Sequence, residues 1–193
     1  MPSGRRSVAD AEEGSATAVP RVLLVGMMGA GKTTVGRTFG QRQGWPYLDS
    51  DEEVRRRTGC TVPELFARRG EAAFRAEETA VLAEACASSH PVVVSVAGGA
   101  VLAEANRALV ASSGLVVWLR ASLATLTQRV GDGRTRPLLG RDPGAALARL
   151  YPERARLYEE LADVVIDVDG VPVERVVEQI VAALAGPAPA PGS

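Results

Sequence analysis

The chain has 193 residues, of which 46% are hydrophobic and 23% are charged, a composition typical of a single globular domain. A net charge of −1 at pH 7 argues against a nucleic-acid or anionic-membrane partner, because both require a basic face. Two cysteines and one histidine argue against a disulfide framework and a structural zinc site, and no apolar run approaches the roughly 20 residues that span a bilayer.

The two ends of the chain differ in composition from its middle. Residues 1–20 mix Ser, Ala, Gly, Glu and Arg without periodicity, and residues 186–193 are rich in Pro, Ala and Gly, so both segments are predicted to be disordered. The first segment lacks the apolar stretch of a secretory signal, which favours a cytoplasmic location. We expect one folded domain over residues 21–185.

Within this domain, short continuous apolar runs alternate with longer helical patterns. Strands are predicted over residues 21–25, 47–49, 92–96, 115–119 and 164–168. Helices are predicted over residues 32–43, 51–58, 62–69, 71–87, 104–111, 123–130, 145–161 and 173–184. This alternation predicts a three-layer α/β fold with about five parallel strands, in which ligands bind beyond the carboxyl ends of the strands.

A glycine-rich motif joins the first predicted strand to the first predicted helix. Residues 26–33 (GMMGAGKT) fit the pattern G-x-x-x-x-G-K-[ST], in which backbone N–H groups and the helix N-terminus bind phosphates. The motif predicts a nucleoside triphosphate and Mg²⁺ as ligands, bound by Gly29, Ala30, Gly31, Lys32, Thr33 and Thr34. Lys32 would reach the β- and γ-phosphates, and the Thr33 hydroxyl would ligate Mg²⁺.

Lys32 is also the single lysine among the 22 basic residues of the chain. Arginine occupies every other basic position, although arginine cannot replace lysine where a compact ammonium group must reach a phosphate. The motif by itself does not distinguish a kinase from a nucleotide-dependent switch or a motor ATPase.

Two aspartates form a D-S-D sequence at the end of the second predicted strand. Carboxylates two residues apart on an extended segment point to the same side, so Asp49 and Asp51 could both face the phosphate loop. One would hold Mg²⁺ through water, and the other would bind or deprotonate a substrate hydroxyl. Alternatively, Asp51 followed by Glu52 and Glu53 is a helix N-cap. The two interpretations are compatible in one residue.

Two arginines are further candidates. Arg75 lies among glutamates on a predicted helix, where a surface salt bridge is the alternative interpretation. Arg136 lies in a Gly-, Arg- and Pro-rich segment, residues 131–144, which is long for a simple connection and is predicted to be a lid. An arginine in such a lid could close on the transferring phosphoryl group.

A third arginine and a glycine pair complete the set. Arg154 shares its predicted helix with Arg149 and Arg156, and spacing alone does not choose among them. Gly98 and Gly99 closely follow the third predicted strand, where they would allow close approach of a ligand or form a tight turn.

In order and spacing, these segments resemble the shikimate kinase family. The segments that carry the resemblance are 26–37 (GMMGAGKTTVGR), 48–59 (LDSDEEVRRRTG), 74–78 (FRAEE), 97–101 (AGGAV), 136–139 (RPLL) and 153–163 (ERARLYEELAD). The phosphate loop is common to many families, whereas the other segments together are much more specific. The family has three glycines where this chain has Ala97-Gly98-Gly99, so the Ala97 methyl is either accommodated at negative φ or narrows the substrate pocket.

The resemblance implies ATP-dependent phosphorylation of shikimate to shikimate 3-phosphate, a step of aromatic amino acid biosynthesis. It implies a small, cytoplasmic, monomeric enzyme with a P-loop kinase fold like that of nucleoside monophosphate kinases. By position, it implies catalytic roles for Lys32, Asp51 and Arg136, substrate binding by Asp51, Arg75, Gly98, Gly99 and Arg154, metal binding by Thr33 and Asp49, and nucleotide binding by Arg129, Arg136 and Pro172. The alternatives are a kinase of a related cyclitol carboxylate or of another small metabolite, and a regulatory nucleotide switch.

Overall fold

The structure is a computed structural model that describes residues 19–131 and 142–186. Most of the predicted lid falls between these two ranges, and Arg136 lies outside the described residues. The predicted disordered segments also lie almost entirely outside them.

Five parallel strands form one sheet, as the sequence predicts. They are β1 (Arg21–Val25), β2 (Tyr47–Asp49), β3 (Val92–Ser95), β4 (Leu115–Arg120) and β5 (Val164–Asp167). Their order in the sheet is β2-β3-β1-β4-β5, with Leu23 of β1 opposite Val94 on one side and Val116 on the other. These three side chains have no exposed surface, which explains why the strands read as continuous apolar runs.

Helices cover both faces of the sheet, and a short 3₁₀ turn (Ala100–Leu102) follows β3. The helices are α1 (Lys32–Gln43), α2 (Ser50–Thr58), α3 (Val62–Cys86), α4 (Glu104–Ala111), α5 (Leu123–Val130), α6 (Pro143–Leu161) and α7 (Val173–Leu184). The two helices predicted over residues 62–87 join into α3, in which Gly70 is non-helical at φ 79° and ψ 172°. None of the helices in the described ranges is both long and apolar enough to cross a membrane.

The topology brings the candidate site residues to one edge of the sheet. The carboxyl ends of β1, β2 and β3 lie side by side, and they lead into the glycine-rich loop, the D-S-D segment and the glycine pair respectively. Helices α2 and α3 share a small hydrophobic cluster of their own, formed by Val54, Cys60, Leu65, Phe74 and Val81. This packing fixes the two helices that carry Asp51 and Arg75.

Candidate active site

The phosphate loop after β1 has the backbone that its glycines predict. Gly26, Gly29 and Gly31 adopt φ values of 139°, 85° and 97°, which L-residues with side chains rarely reach. A Cβ at Gly26 would also lie only 2.7 Å from the Leu119 carbonyl oxygen. Helix α1 begins directly after Gly31, which caps it without a side-chain hydrogen bond, and its first turn holds no acidic residue. These features suit the binding of an anion at the N-terminus of α1.

The Lys32 ammonium group lies against this loop. Its Nζ donates hydrogen bonds to the carbonyl oxygens of Gly26, at 2.7 Å, and Met27, at 3.2 Å. The ammonium group is therefore held beside the concave side of the loop, where the sequence places a phosphate.

Thr33, in the first turn of α1, contacts the end of β2. Its Oγ1 donates to Asp49 Oδ2 at 3.2 Å. A hydroxyl and a carboxylate oxygen side by side are hard oxygen ligands, the kind that Mg²⁺ prefers, so the pair fits the predicted metal role. The structure thus brings Lys32, Thr33 and Asp49 together.

The predicted geometry of the D-S-D segment is wrong in one respect. Helix α2 begins at Ser50, so Asp51 lies in the first helical turn and not on an extended segment beside Asp49. The N-cap is Asp49 rather than Asp51, because Asp49 retains extended backbone and its Oδ1 accepts from the amides of Asp51, at 3.1 Å, and Glu52, at 3.4 Å. The two carboxyl oxygens of Asp49 therefore have different partners, because Oδ1 caps α2 and Oδ2 accepts from Thr33.

Sequence reasoning missed Tyr47, which contacts the other oxygen of Asp49, and Ser95, which contacts Tyr47. The Tyr47 hydroxyl lies 3.1 Å from Asp49 Oδ2 and 2.9 Å from the hydroxyl oxygen of Ser95, which ends β3. Burial raises the pKa of Tyr47 to about 12, so the phenol keeps its proton at neutral pH. Tyr47 and Asp49 are two apart on one strand, and this spacing is the signal that could have found Tyr47.

A cleft of about 290 Å³ opens on the other side of the phosphate loop. It is lined by Ala30, Gly31, Thr34, Val35, Arg129, Val168, Val171, Val173 and Val176. The Arg129 guanidinium spans it, donating to Val168 O at 3.1 Å and to Ala30 O at 3.4 Å. Pro172 itself is exposed at the N-cap of α7, and its two valine neighbours line the cleft instead. An apolar slot with one cation suits a flat heteroaromatic ring.

Two arginines converge on the glycine pair after β3. A Cβ built at Gly99 would lie 3.4 Å from Arg75 Nη1 and 3.9 Å from Arg154 Nη2. A Cβ at Gly98 would lie 3.5 Å from Arg154 Nη1 and 3.6 Å from the Gly26 carbonyl oxygen, to which Lys32 also binds. The glycines therefore leave space beside two guanidinium groups, and this space adjoins the phosphate loop. We call it the acceptor pocket.

Burial distinguishes Arg154 from the other arginines of α6. Arg154 is 4% exposed, whereas Arg149 and Arg156 are exposed. Within the part of the chain that the structure describes, Arg154 Nε and Nη1 are buried without a hydrogen-bond partner. A buried, incompletely paired cation costs several kcal/mol, of the order of 3–5, so this guanidinium is poised for an anion.

Glu78 is a second residue of this pocket that sequence reasoning missed. Its carboxylate is 1% exposed and accepts from Arg75 Nη1 at 2.8 Å. Burial raises its pKa and Arg75 opposes the rise, with smaller contributions from the negative charge of Asp51, which adds to the rise, and the positive charge of Arg154, which opposes it. Arg75 therefore has a buried partner as well as the surface ion pair with Glu71. Arg154 interacts with this carboxylate only through its charge, and its Nε and Nη1 stay available for hydrogen bonds to a ligand.

Two buried hydroxyls hold the segment that carries the glycine pair. The amide of Ala97 donates to Ser50 Oγ at 2.9 Å, and the Tyr158 hydroxyl donates to Gly98 O at 2.9 Å. Ala97 is 7% exposed within the main core, and no residue other than glycine has positive φ in the described ranges. Its methyl is therefore accommodated at negative φ, which is the first of the two alternatives.

The parallel sheet, the phosphate loop after β1 and the adjoining pocket define a P-loop kinase fold. Residues 28–185 match the family model described as shikimate kinase. The shikimate kinase of Ruegeria pomeroyi is 47% identical over 176 residues, which cover 90% of this chain and 89% of that protein.

Solved structures agree with the sequence comparison. The shikimate kinase of Acinetobacter baumannii in complex with shikimate has a TM-score of 0.81 and 36% identity, covering 86% of this chain and 93% of that one. The shikimate kinase of Bacteroides thetaiotaomicron has a TM-score of 0.79 and 30% identity, covering 87% and 99%. This chain belongs to the shikimate kinase family.

Proposed function

We propose that this protein transfers the γ-phosphoryl group of ATP to a hydroxyl of shikimate, giving shikimate 3-phosphate and ADP. The observation that carries the proposal is the buried Arg154 guanidinium beside Arg75 in the acceptor pocket. A small acid with hydroxyl groups supplies the missing anion, and the pocket adjoins the loop that suits a triphosphate. Membership of the shikimate kinase family supports the same substrate.

On the nucleotide side, three residues would hold the triphosphate and its metal. Lys32 would exchange its carbonyl partners for phosphate oxygens, and Thr33 Oγ1 and Asp49 would hold Mg²⁺, directly or through water. When bound, Mg²⁺ would neutralise part of the negative charge on the phosphates. The cleft beside Arg129 would take the adenine ring.

On the acceptor side, Arg75 and Arg154 would bind the carboxylate in charge-assisted hydrogen bonds. The backbone at Gly98 and Gly99 would let the ring approach closely. Asp51 would orient the accepting hydroxyl and take its proton as the oxygen–phosphorus bond forms and the bond to ADP breaks. Such a transfer depends mainly on positioning and charge neutralisation. From the sequence alone, Arg136 is proposed to stabilise the phosphoryl oxygens.

The acceptor is tested by measuring ADP release with a panel of compounds. We expect shikimate to stimulate release strongly, because its carboxylate and hydroxyls match the charges of the acceptor pocket. Quinate, gluconate, a nucleoside monophosphate and a reaction without acceptor serve as comparisons. Strong stimulation by gluconate or a nucleotide instead would favour another metabolite kinase. Release that responds to no acceptor would favour a nucleotide switch.

Gly99→Ala tests the pocket with a single methyl group. Gly99 has φ −94° and ψ −15°, which alanine adopts without strain, so the change should fill the pocket without distorting the backbone. We expect shikimate affinity, measured by calorimetry, to fall about tenfold or more, and ADP affinity to stay within about twofold.

Val165→Ile is the matched control for this change. It adds one methyl group on β5, which β1 and β4 separate from β3 in the sheet, at a position that is 40% exposed. It should leave shikimate affinity unchanged. A Gly99→Ala protein that binds shikimate as tightly as the unchanged protein would contradict the assignment of the pocket.

A monomeric state and a cytoplasmic location stay predictions from the sequence. Gel filtration of the full chain tests the first of them.

A further inference from the structure

We propose that Tyr47 is a positioning residue for the Asp49 carboxylate, an inference that rests on the proposed role of Asp49 in holding Mg²⁺. The Tyr47 hydroxyl lies 3.1 Å from Asp49 Oδ2, and Thr33 Oγ1 lies 3.2 Å from the same oxygen. Thr33 and Tyr47 thus contact the same oxygen of Asp49. Thr33 and Asp49 would hold the metal, whereas Tyr47 would not touch it.

The direction of the hydrogen bonds follows from the number of protons. The phenol has one proton and contacts both Asp49 Oδ2 and Ser95 Oγ, at 3.1 and 2.9 Å. A carboxylate can only accept, whereas a serine hydroxyl can donate. Tyr47 therefore donates to Asp49 and accepts from Ser95. The hydrogen bonds therefore run from Ser95 on β3 to Tyr47 on β2 and from Tyr47 to the Asp49 carboxylate, and each bond polarises the next.

Packing fixes the Tyr47 ring in this place. The ring lies against Gly36 of α1, where a Cβ would come within 2.8 Å of Tyr47 Cδ2. The guanidinium carbon of Arg37 lies 5.7 Å from the ring centroid. Gly36 is one turn beyond Thr33, so the ring packs against the same helix, α1, that carries Thr33.

The remaining bonds of Asp49 explain why this contact matters. Oδ1 is engaged by the N-terminal amides of α2, so it sets where that helix starts. Oδ2 receives donors from Thr33 and Tyr47, which fix the carboxylate plane. Outer hydrogen-bond partners of metal ligands typically contribute about 10–100-fold to metal affinity. Tyr47 is expected to act on Mg²⁺ binding in this way, through Asp49.

Tyr47→Phe removes the hydroxyl and keeps the ring. Calorimetric titration with ADP over a series of Mg²⁺ concentrations gives the Mg²⁺ concentration at which the gain in ADP affinity reaches half of its maximum. We expect this concentration to rise about tenfold in the variant. ADP affinity in EDTA should stay within about twofold, since it does not depend on the Asp49 carboxylate plane.

Tyr151→Phe, on α6, is the matched control and should leave the Mg²⁺ requirement unchanged. An unchanged requirement in Tyr47→Phe would overturn the proposal, as would equal losses of ADP affinity with and without Mg²⁺, which indicate a structural role. The readout needs no acceptor, so it is independent of whether shikimate is the substrate. ADP binding by the unchanged protein that ignores Mg²⁺ would overturn both the metal site and the role of Tyr47.

Discussion

Arg154→Met is expected to abolish detectable shikimate binding while leaving ADP affinity within about twofold. Removing one partner of a buried, hydrogen-bonded charge pair typically costs about 2–5 kcal/mol, which is roughly 30-fold or more in affinity. Methionine keeps most of the volume of the arginine stem, so the packing of α6 should survive. Calorimetric titrations with shikimate and with ADP measure the two affinities separately.

The same change should not lower the thermal stability of the ligand-free protein. Two nitrogens of Arg154 are buried without a hydrogen-bond partner among the described residues, and methionine removes the cost of burying them. We expect an unchanged or higher melting temperature together with lost binding. This combination separates a ligand-binding residue from a structural one.

Two comparisons sharpen this test. Arg156→Met, on the same helix, removes an exposed arginine that pairs with Glu160 at the surface, and it should change neither property. Arg75→Ala should also impair shikimate binding, but it leaves the Glu78 carboxylate buried without its partner, so stability should fall. If Arg154→Met melts at a much lower temperature and still binds shikimate, Arg154 is structural.

Lys32→Met is expected to lower kcat by about 10²–10³ with the fold intact. Removing one preorganised donor to the developing charge of a transition state typically has an effect of this size. The Lys32 ammonium lies beside the concave side of the phosphate loop, bound to the carbonyls of Gly26 and Met27. Steady-state kinetics with saturating ATP and shikimate measure kcat, and circular dichroism checks the fold.

Lys32→Arg should fail to restore the rate, because a planar guanidinium cannot replace a compact ammonium group inside a tight loop. Arg42→Met, in the last turn of the same helix, removes an exposed cation and should have no effect on kcat. Near-normal turnover of Lys32→Met would contradict the assignment of the phosphate loop.

The sequence predicts the sheet and the phosphate loop because both depend on local patterns. Continuous apolar runs need burial on two faces, and glycines at positions 26, 29 and 31 need φ values that other residues avoid. The bounds of α1, α4, α5 and α7 are reproduced for the same reason.

The details of the site depend instead on contacts between distant parts of the chain. Asp49 is the N-cap of α2 because its backbone stays extended. The D-S-D spacing does not reveal which of the two aspartates is the N-cap. Arg154 differs from Arg149 and Arg156 only in which face of α6 meets the core. The hydrogen bonds between Tyr47 and Ser95 and between Arg75 and Glu78 form only once the strands and helices are assembled.

The transfer itself is tested most directly by ³¹P nuclear magnetic resonance of the protein with ATP, Mg²⁺ and shikimate. The account predicts a new phosphomonoester signal that grows in step with ADP and depends on shikimate. ADP that accumulates with inorganic phosphate alone, or no turnover at all, would contradict it.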